Sequence, residues 1–437
     1  MQQVESRPRL LQAMIDAFAL PDLRRRLIFT LGILIVFRFI AHVPMPGVNA
    51  AALADLFSKN QLLGMIDFFS GGAMRNFSVA AMGVYPYITS SIIMQLLIPV
   101  IPALQRMSQE GEAGRNRINQ ITHWATIPLA AIQGYAQLTL LRTQGVVAQA
   151  SVLETATMIM AMTAGTIFLM WLGELITERG IGNGISIIIF AGIVANLPGM
   201  IGRGLIAIDR ITGLIVFGVL GLITVVFIVV FTQAARRIPV QYARSTFRGG
   251  KMYRQTGSSF IPLRVNTAGM IPLIFAMSLV ILPSTIASYF AGPSGQENFA
   301  NTIMKIFSPD TSMPLGMVYW ILYFLLVVGF TFFYTFVVFQ QMDLPKTLQR
   351  QGGFIPGVRP GKPTSDYLNS VIKNITWAGA FFLAIVAILP VIARTVTDVQ
   401  ALTLSSTGLL IIVGVALDTM KQIEAQLLMR RYEGFLK

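Results

Sequence analysis

The chain alternates between long apolar runs and short polar stretches rich in arginine and lysine. Ten runs approach the roughly 20 apolar residues that a helix needs to cross a bilayer. They cover Leu27 to Ala41, Phe77 to Ile101, Asn119 to Leu141, Val152 to Ile176, Asn183 to Ile206, Ile211 to Thr232, Thr267 to Phe290, Leu315 to Gln341, Val371 to Ile392 and Thr403 to Met420. Pro44 and Pro46 stop the first run, and no small-residue cleavage site follows it, so it reads as a retained span and not a signal peptide. Two runs share a mark near one end. Gly83-x-x-Pro86-x-Ile88 is matched by Gly269-x-x-Pro272-x-Ile274, and the copies close at Pro99 and Pro283. Divided five and five, the runs place these marks in the second and seventh helices, which cross in opposite directions. The pattern therefore predicts an inverted repeat, with interrupted helices at its working centre.

Composition agrees: of 437 residues, 54% are hydrophobic and 12% charged, too apolar for a chain dissolved in water. With no cysteine and two histidines, His42 and His123, in separate segments, disulfides and a metal site are not expected. The net charge of +14 is distributed by side. Of 33 lysines and arginines, 25 fall on the side that holds both termini and seven on the other, with Arg38 inside the first run. The positive-inside rule makes both termini cytoplasmic, and the basic surface suits anionic lipid heads. At the amino terminus, Leu10, Leu11, Met14, Ile15 and Phe18 form an apolar stripe beside Arg7 and Arg9, as an interfacial helix would.

Charges within the runs are Arg38, Glu174 and Asp418, all near run ends, which leaves the midplane apolar. An ion-coupled carrier would keep ionisable groups there. Val84 and Ile88 share a face at i, i+4, Ile185 and Ile189 repeat that spacing, and Ile411 lies mid-run. Such side chains are either core or lipid-facing, or they ring a hydrophobic constriction. The external stretch Leu62 to Asn76 is too apolar to lie in water and too short to span, so it either packs on the outer surface or folds back into a cavity as a short helix.

Two cytoplasmic loops, 233–266 and 342–370, are large and basic. The first contains ARRIPVQYARS, a short strand-like run. The second contains GGFIPGVRPGKPT, whose glycines and prolines rule out helix, favour a stiff sequence of turns and hold Arg359 and Lys362 out from the membrane. The charge either sets topology alone or docks a large acidic partner such as ribosomal RNA or a motor protein. A phosphate loop is excluded, since Pro363 follows Lys362 and Met252 follows Lys251 where Ser or Thr is required.

Six segments in order, YPYITSSIIMQLL, GELITERGIGNGISIIIF, RRIPVQYAR, RVNTAGMIPLIFA, GGFIPGVRPGKPT and RRYEGFLK, resemble the SecY family of protein-conducting channels in its bacterial form. The resemblance covers nearly the whole chain. It implies an all-α membrane protein of ten transmembrane helices in two inverted five-helix halves, 23–206 and 207–420, around a central pore with a lateral gate. Residues 1–22 would be an amphipathic cytoplasmic segment and 421–437 a cytoplasmic tail. The pore ring would fall on Val84, Ile88, Ile185, Ile189, Ile274 and Ile411. The plug would occupy 62–74, including Leu63, Gly64, Met65, Ile66, Phe68, Phe69, Gly71 and Gly72. The gate would lie between the second and seventh helices, with Thr89, Gln95 and Asn266 near it. Arg236, Arg237, Arg244, Lys251, Arg359 and Lys362 would face the ribosome or the SecA motor, and SecE and SecG would be membrane partners. The resemblance implies a non-enzymatic, cofactor-free conduit in the bacterial cytoplasmic membrane for signal peptides and secretory polypeptides. A solute transporter with an inverted repeat, and an insertase or scaffold with no aqueous path, are the rival readings.

Overall fold

The computed structural model describes residues 18, 20–59, 67, 70–143, 145–147, 151–206, 211–248, 251–288, 290, 298–308, 311, 315–342, 344–397 and 405–434. The expected interfacial stripe of residues 1–22 lies almost wholly outside the described residues.

The described chain is mostly helical. In order it forms α1 (Pro21–Ile40), α2 (Ala50–Lys59), α3 (Tyr85–Leu97), α4 (Pro102–Gln109), α5 (Glu112–Thr143), α6 (Val152–Arg179), α7 (Gly184–Ile206) and α8 (Ile211–Gln233). Strands β1 (Ala235–Arg248) and β2 (Lys251–Arg264) follow, then α9 (Ile271–Ser288), α10 (Phe299–Ile306), α11 (Gly316–Met342), α12 (Leu344–Arg350), β3 (Gly353–Phe354), α13 (Lys362–Thr397) and α14 (Ser405–Gly434). The ten apolar runs hold α1, α3, α5, α6, α7, α8, α9, α11, α13 and α14. By length and composition, α6, the helix starting at Gly316 and Lys362–Leu389 suffice to cross a membrane, as do α3 and α4 taken together across a 99° bend.

Prolines start several helices here, while Pro128, Pro198 and Pro283 lie inside α5, α7 and α9, so the second marked run does not close at Pro283 as expected. Pro occupies the first turn of α1, α3 and α4, where the missing N–H has no intrahelical acceptor to lose. The two Gly–Pro marks share one local geometry. Gly83 and Gly269 have φ of +57° and +63°, and each lies two residues before a helix whose second residue is proline. The marks therefore turn the chain into a helix and do not interrupt one. The second run accordingly begins helix only at Tyr85, with turns over 71–84. Ile88 thus lies in the first turn of α3, although the apolar run around it extends from Phe77 to Ile101. Glycine accounts for this shift, since it alone adopts a left-handed φ freely.

The structure divides into two compact units. The first comprises Met1–Asp209, Pro283–Ser312 and Ile411–Lys437. One cluster joins Phe77, Met82, Leu138, Leu141 and Met162, and a smaller one joins Leu23, Ile181 and Ile423. Close helix approach depends on absent side chains: a methyl at Gly165 of α6 would fall on the Val79 carbonyl. A capping box, Ser151 with Glu154, opens α6.

The second unit comprises Arg210–Leu282 and Met313–Leu410. Phe231 of α8 stacks on Phe382 of α13 at 4.4 Å. Its sheet has the order β2-β1-β3, and β1 pairs antiparallel with β2 over their full 14 residues. The sequence suggested only a short strand there. Alternation buries Ile238 and Val240 of β1 with Leu263 of β2, Ile355 and Leu368, so the hairpin has a core of its own. Residues 355–361 turn as expected, but α13 already begins at Lys362 because Pro363 is tolerated in a first helical turn.

Apolar side chains remain exposed along α1 (Ile28, Leu31, Ile35, Phe39), α8 (Leu222, Ile223, Val226, Val230) and α11 (Ile321, Leu325, Phe336). Faces of this kind suit lipid, not water.

Candidate functional site

The loop between α2 and α3 holds the most elaborate polar construction among the described residues. Leu63, Gly64, Met65, Ile66, Phe68 and Phe69 lie outside the described residues. Asp67, Ser70, Gly71, Ala73, Met74 and Phe77 are buried, Asp67 with only 3% of its surface exposed. The Asp67 carboxylate accepts from the Arg75 amide at 3.0 Å and the Ser70 hydroxyl at 3.3 Å, with the Arg75 side chain 3.7 Å away. Its main-chain carbonyl accepts from Gly72 N–H at 3.1 Å and from Ser70 Oγ at 2.9 Å, and Ser70 Oγ accepts from Met74 N–H at 3.0 Å. The Asp67 carboxylate, the Asp67 carbonyl and the Ser70 hydroxyl are thus answered within the turn, as burial requires. Desolvation pushes the Asp67 carboxyl above its ordinary value, against the pull of the Arg75 amide and charge and of the Ser70 hydroxyl.

Three helices of the first unit hold this loop. Arg38 of α1 donates to the Gly71 carbonyl at 2.9 Å. Gln137 of α5 donates to the Met74 sulfur. Gly71 and Gly72, with φ of +68° and +85°, lie against Gly192 and Asn196 of α7 and against Phe37 of α1. Arg38 had stood out in the sequence only as a charge within a run. Gly192, Asn196 and Gln137 gave no signal there, because their role is contact with residues distant in sequence.

Val84 and Ile88 lie on one turn, the Ile88 N–H donating to the Val84 carbonyl at 3.0 Å, and both are buried. Ile185 and Ile189 follow one another on α7, where Ile189 is buried and Ile185 packs beside Gly173 of α6. Ile411, also buried, belongs to α14, while Ile274 is buried on α9 in the second unit. Thr89 donates to the Tyr85 carbonyl at 3.0 Å and accepts from Gln133 of α5 at 3.4 Å. Gln95 donates to Ser91 at 3.4 Å, but its Oε1 and the Oδ1 of Asn266 are buried with no hydrogen-bond partner among the described residues. Buried, unanswered acceptors are costly and mark places where the surroundings rearrange or a partner completes them.

In the second unit, Arg236 and Arg237 of β1 are exposed, Arg237 lying 5.0 Å over the Phe260 ring. The register sets Arg244 opposite Gln255 and Lys251 opposite Arg248 at the hairpin end. Arg359 and Lys362 are exposed, and the Arg359 carbonyl accepts from Thr364 at 2.8 Å. Of the histidines, His42 is exposed with Nδ1 2.7 Å from the Arg38 carbonyl, and His123 of α5 pairs with Glu174 of α6 at 3.0 Å. No cluster of three metal-ligating side chains occurs among the described residues.

The SecY family model matches residues 78–420. The chain is 44% identical to the protein translocase subunit SecY of Halalkalibacterium halodurans over 97% of its own length and 99% of that chain. It is 41% identical to that of Streptomyces scabiei over 98% and 100%. Among solved structures, it is similar to a protein-conducting channel (TM-score 0.64, 17% identity, 92% of each chain). It is similar also to Sec61 of the canine ribosome–channel complex (TM-score 0.62, 16% identity, 92% of each chain). A further similar structure is a SecY channel whose plug domain stabilises the closed state and maintains a membrane seal (TM-score 0.63, 18% identity, 92% of each chain). With its several apolar helices and its relatives matched end to end, the chain belongs to the SecY family, a multi-pass membrane protein that forms a protein-conducting channel and not an enzyme.

Proposed function

We propose that this channel passes unfolded secretory polypeptides across the bacterial cytoplasmic membrane and releases transmembrane segments sideways into it. Ten helices, in two inverted halves 23–206 and 207–420, would enclose the path, with both termini cytoplasmic. Val84, Ile88, Ile185, Ile189, Ile274 and Ile411 would form its constriction. The 62–74 segment would plug it, and α3 and α9 would part to open it laterally past Thr89, Gln95 and Asn266. An unfolded chain is too variable for a specific site, so a compliant, weakly adhesive aliphatic ring suits it and excludes ions by dewetting when closed. A signal peptide gains about 0.8 kcal/mol per CH₂ group buried in lipid. That gain shifts the balance between closed and open states.

The observation that carries this reading is the turn of residues 67 and 70–77, largely buried, hydrogen-bonded within itself and to Arg38, and seated on α1 and α7 just before the α3 turn that bears Val84 and Ile88. Driving energy would come from a partner, the SecA motor or the ribosome, docking on Arg236, Arg237, Arg244, Lys251, Arg359 and Lys362. Sec61 in the canine complex binds a ribosome, which supports that use of the basic loops. SecE and SecG would complete the membrane complex, and anionic lipids would hold its cytoplasmic rim.

The test is reconstitution in liposomes with SecE, SecG, SecA and ATP. A signal-bearing precursor should become protected from external protease, and the same precursor without its signal should not. Protection independent of the signal, or substrate-coupled flux of a small solute, would overturn the reading.

A further inference from the structure

A methyl placed on Gly192 of α7 would fall on the Cα of Gly71, and one on Gly71 would meet the Gly192 Cα and the Phe37 ring, each at 2.8 Å. The two backbones therefore touch directly, with no side chain between them. One turn further along α7, Asn196 lies against Gly72. From the α1 side Arg38 donates to the Gly71 carbonyl at 2.9 Å. A guanidinium within an apolar run is expensive to keep, and its bond to this carbonyl is a reason for its presence.

From this seat we infer that Gly192 and Arg38 are positioning residues which set how firmly the 67–77 loop stays in its closed place, and hence how strong a signal must be to open the channel. The inference rests on the plug reading above and assigns its regulation to two residues on the helices behind the loop. The Gly71–Gly192 contact has little tolerance, because packed backbones have two arrangements, in contact or apart, and no soft side chain to absorb a change. Arg38 adds direction: it holds the carbonyl toward α1, so the loop leaves only when that charge is released to another acceptor.

Gly192 allows a clean test, since it is helical and alanine is the better helix former there. Any loosening by Gly192→Ala then comes from the contact and not from α7 itself. Gly199, on the same helix, has open space around its Cα and serves as the matched control. The experiment measures resting ion conductance of the whole complex in planar bilayers for the wild type, G192A, G199A, R38Q and a deletion of residues 67–76, with export of a precursor bearing a weakened signal as the second readout. An overpacked contact shifts a two-state balance by roughly five- to hundredfold. G192A is expected to raise resting conductance within that range and to rescue the weak signal. R38Q should do so to a lesser extent, and G199A should match the wild type. If the deletion conducts while G192A and R38Q stay as tight as the wild type, the seat has no such role. If the deletion itself does not conduct, the plug reading fails and the inference goes with it. Where G192A fails to assemble, R38Q alone decides.

Discussion

Phe77 offers the sharpest check on the local physics. It is the one non-glycine residue with a left-handed backbone among the described residues, at φ +40°, and it is fully buried beside Met45, Leu53 and Met82. Its N–H donates to the Met74 carbonyl and its own carbonyl accepts from Met45, both at 2.9 Å, so the conformation is fixed from both sides. Truncating a buried phenylalanine to alanine costs about 3–5 kcal/mol from lost transfer energy and the cavity left. At an ordinary helical position, glycine would cost about 1 kcal/mol more than alanine. At Phe77 the left-handed backbone penalises any Cβ by roughly 1–2 kcal/mol, which glycine escapes. The two terms nearly cancel or reverse. F77G should therefore be as stable as F77A, or more stable by up to about 1 kcal/mol. Leu141, equally buried in the same cluster but on α5, is the reference, and there L141G should fall below L141A by about 1 kcal/mol. Graded denaturant unfolding of the four variants in detergent reads both differences. An F77G that falls as far below F77A as L141G falls below L141A would refute the claim that the turn into α3 stores backbone strain.

The remaining predictions concern gating and docking. Replacing Ile88 or Ile274, each buried, with asparagine should loosen the closed state and admit poorly matched signals, and unchanged signal selectivity and ion leak would count against the ring. Arg359→Glu, at an exposed turn, should abolish export while thermal stability stays within about 0.5 kcal/mol of the wild type, whereas normal export would remove the docking role. Asp67 lies in the loop between α2 and α3, outside the expected spans. Because its carboxyl is raised in the folded loop, that loop binds a proton more tightly than the unfolded chain does. Its stability should be greatest below about pH 4 and fall as pH rises through the raised value, as read by hydrogen exchange at Gly72 and Met74. The Asp67→Asn variant should be flat across that window, and a wild-type profile equally flat would contradict the assignment.

Hydropathy located a helix within each of ten runs because a bilayer demands length and apolarity, and both are properties of the string of residues. Helix starts were harder to read. Phe77 to Val84 is as apolar as α3 itself, and only the left-handed turns at Phe77 and Gly83 separate them. The basic hairpin was underestimated because the polar run Arg244–Thr246 and the Gly249–Gly250 pair break the apolar–polar alternation of the sequence there. Among the described residues, the buried pattern that identifies a strand falls on Ile238, Val240 and Leu263, toward the Ala235–Arg264 end of the pair. Asp67 was not singled out in the sequence, because nothing local marks the setting that buries it. Arg38, Gln137 and Gly192 reach that loop across 33, 63 and 121 residues of chain, and no local spacing encodes such meetings. The aliphatic candidates were legible as positions, while what distinguishes Ile88 from other isoleucines is its place in the first turn of α3, which only the fold reveals.

The central claim, that a polypeptide passes the turn bearing Val84 and Ile88, is tested most directly by site-specific photo-crosslinking in membranes. A photoreactive residue at position 88 would face a stalled, signal-bearing export substrate, with position 222 on the exposed apolar side of α8 as control. Crosslinks from 88 and none from 222 are the expected result. A substrate shown to be engaged, yet never crosslinked from 88, would contradict the account.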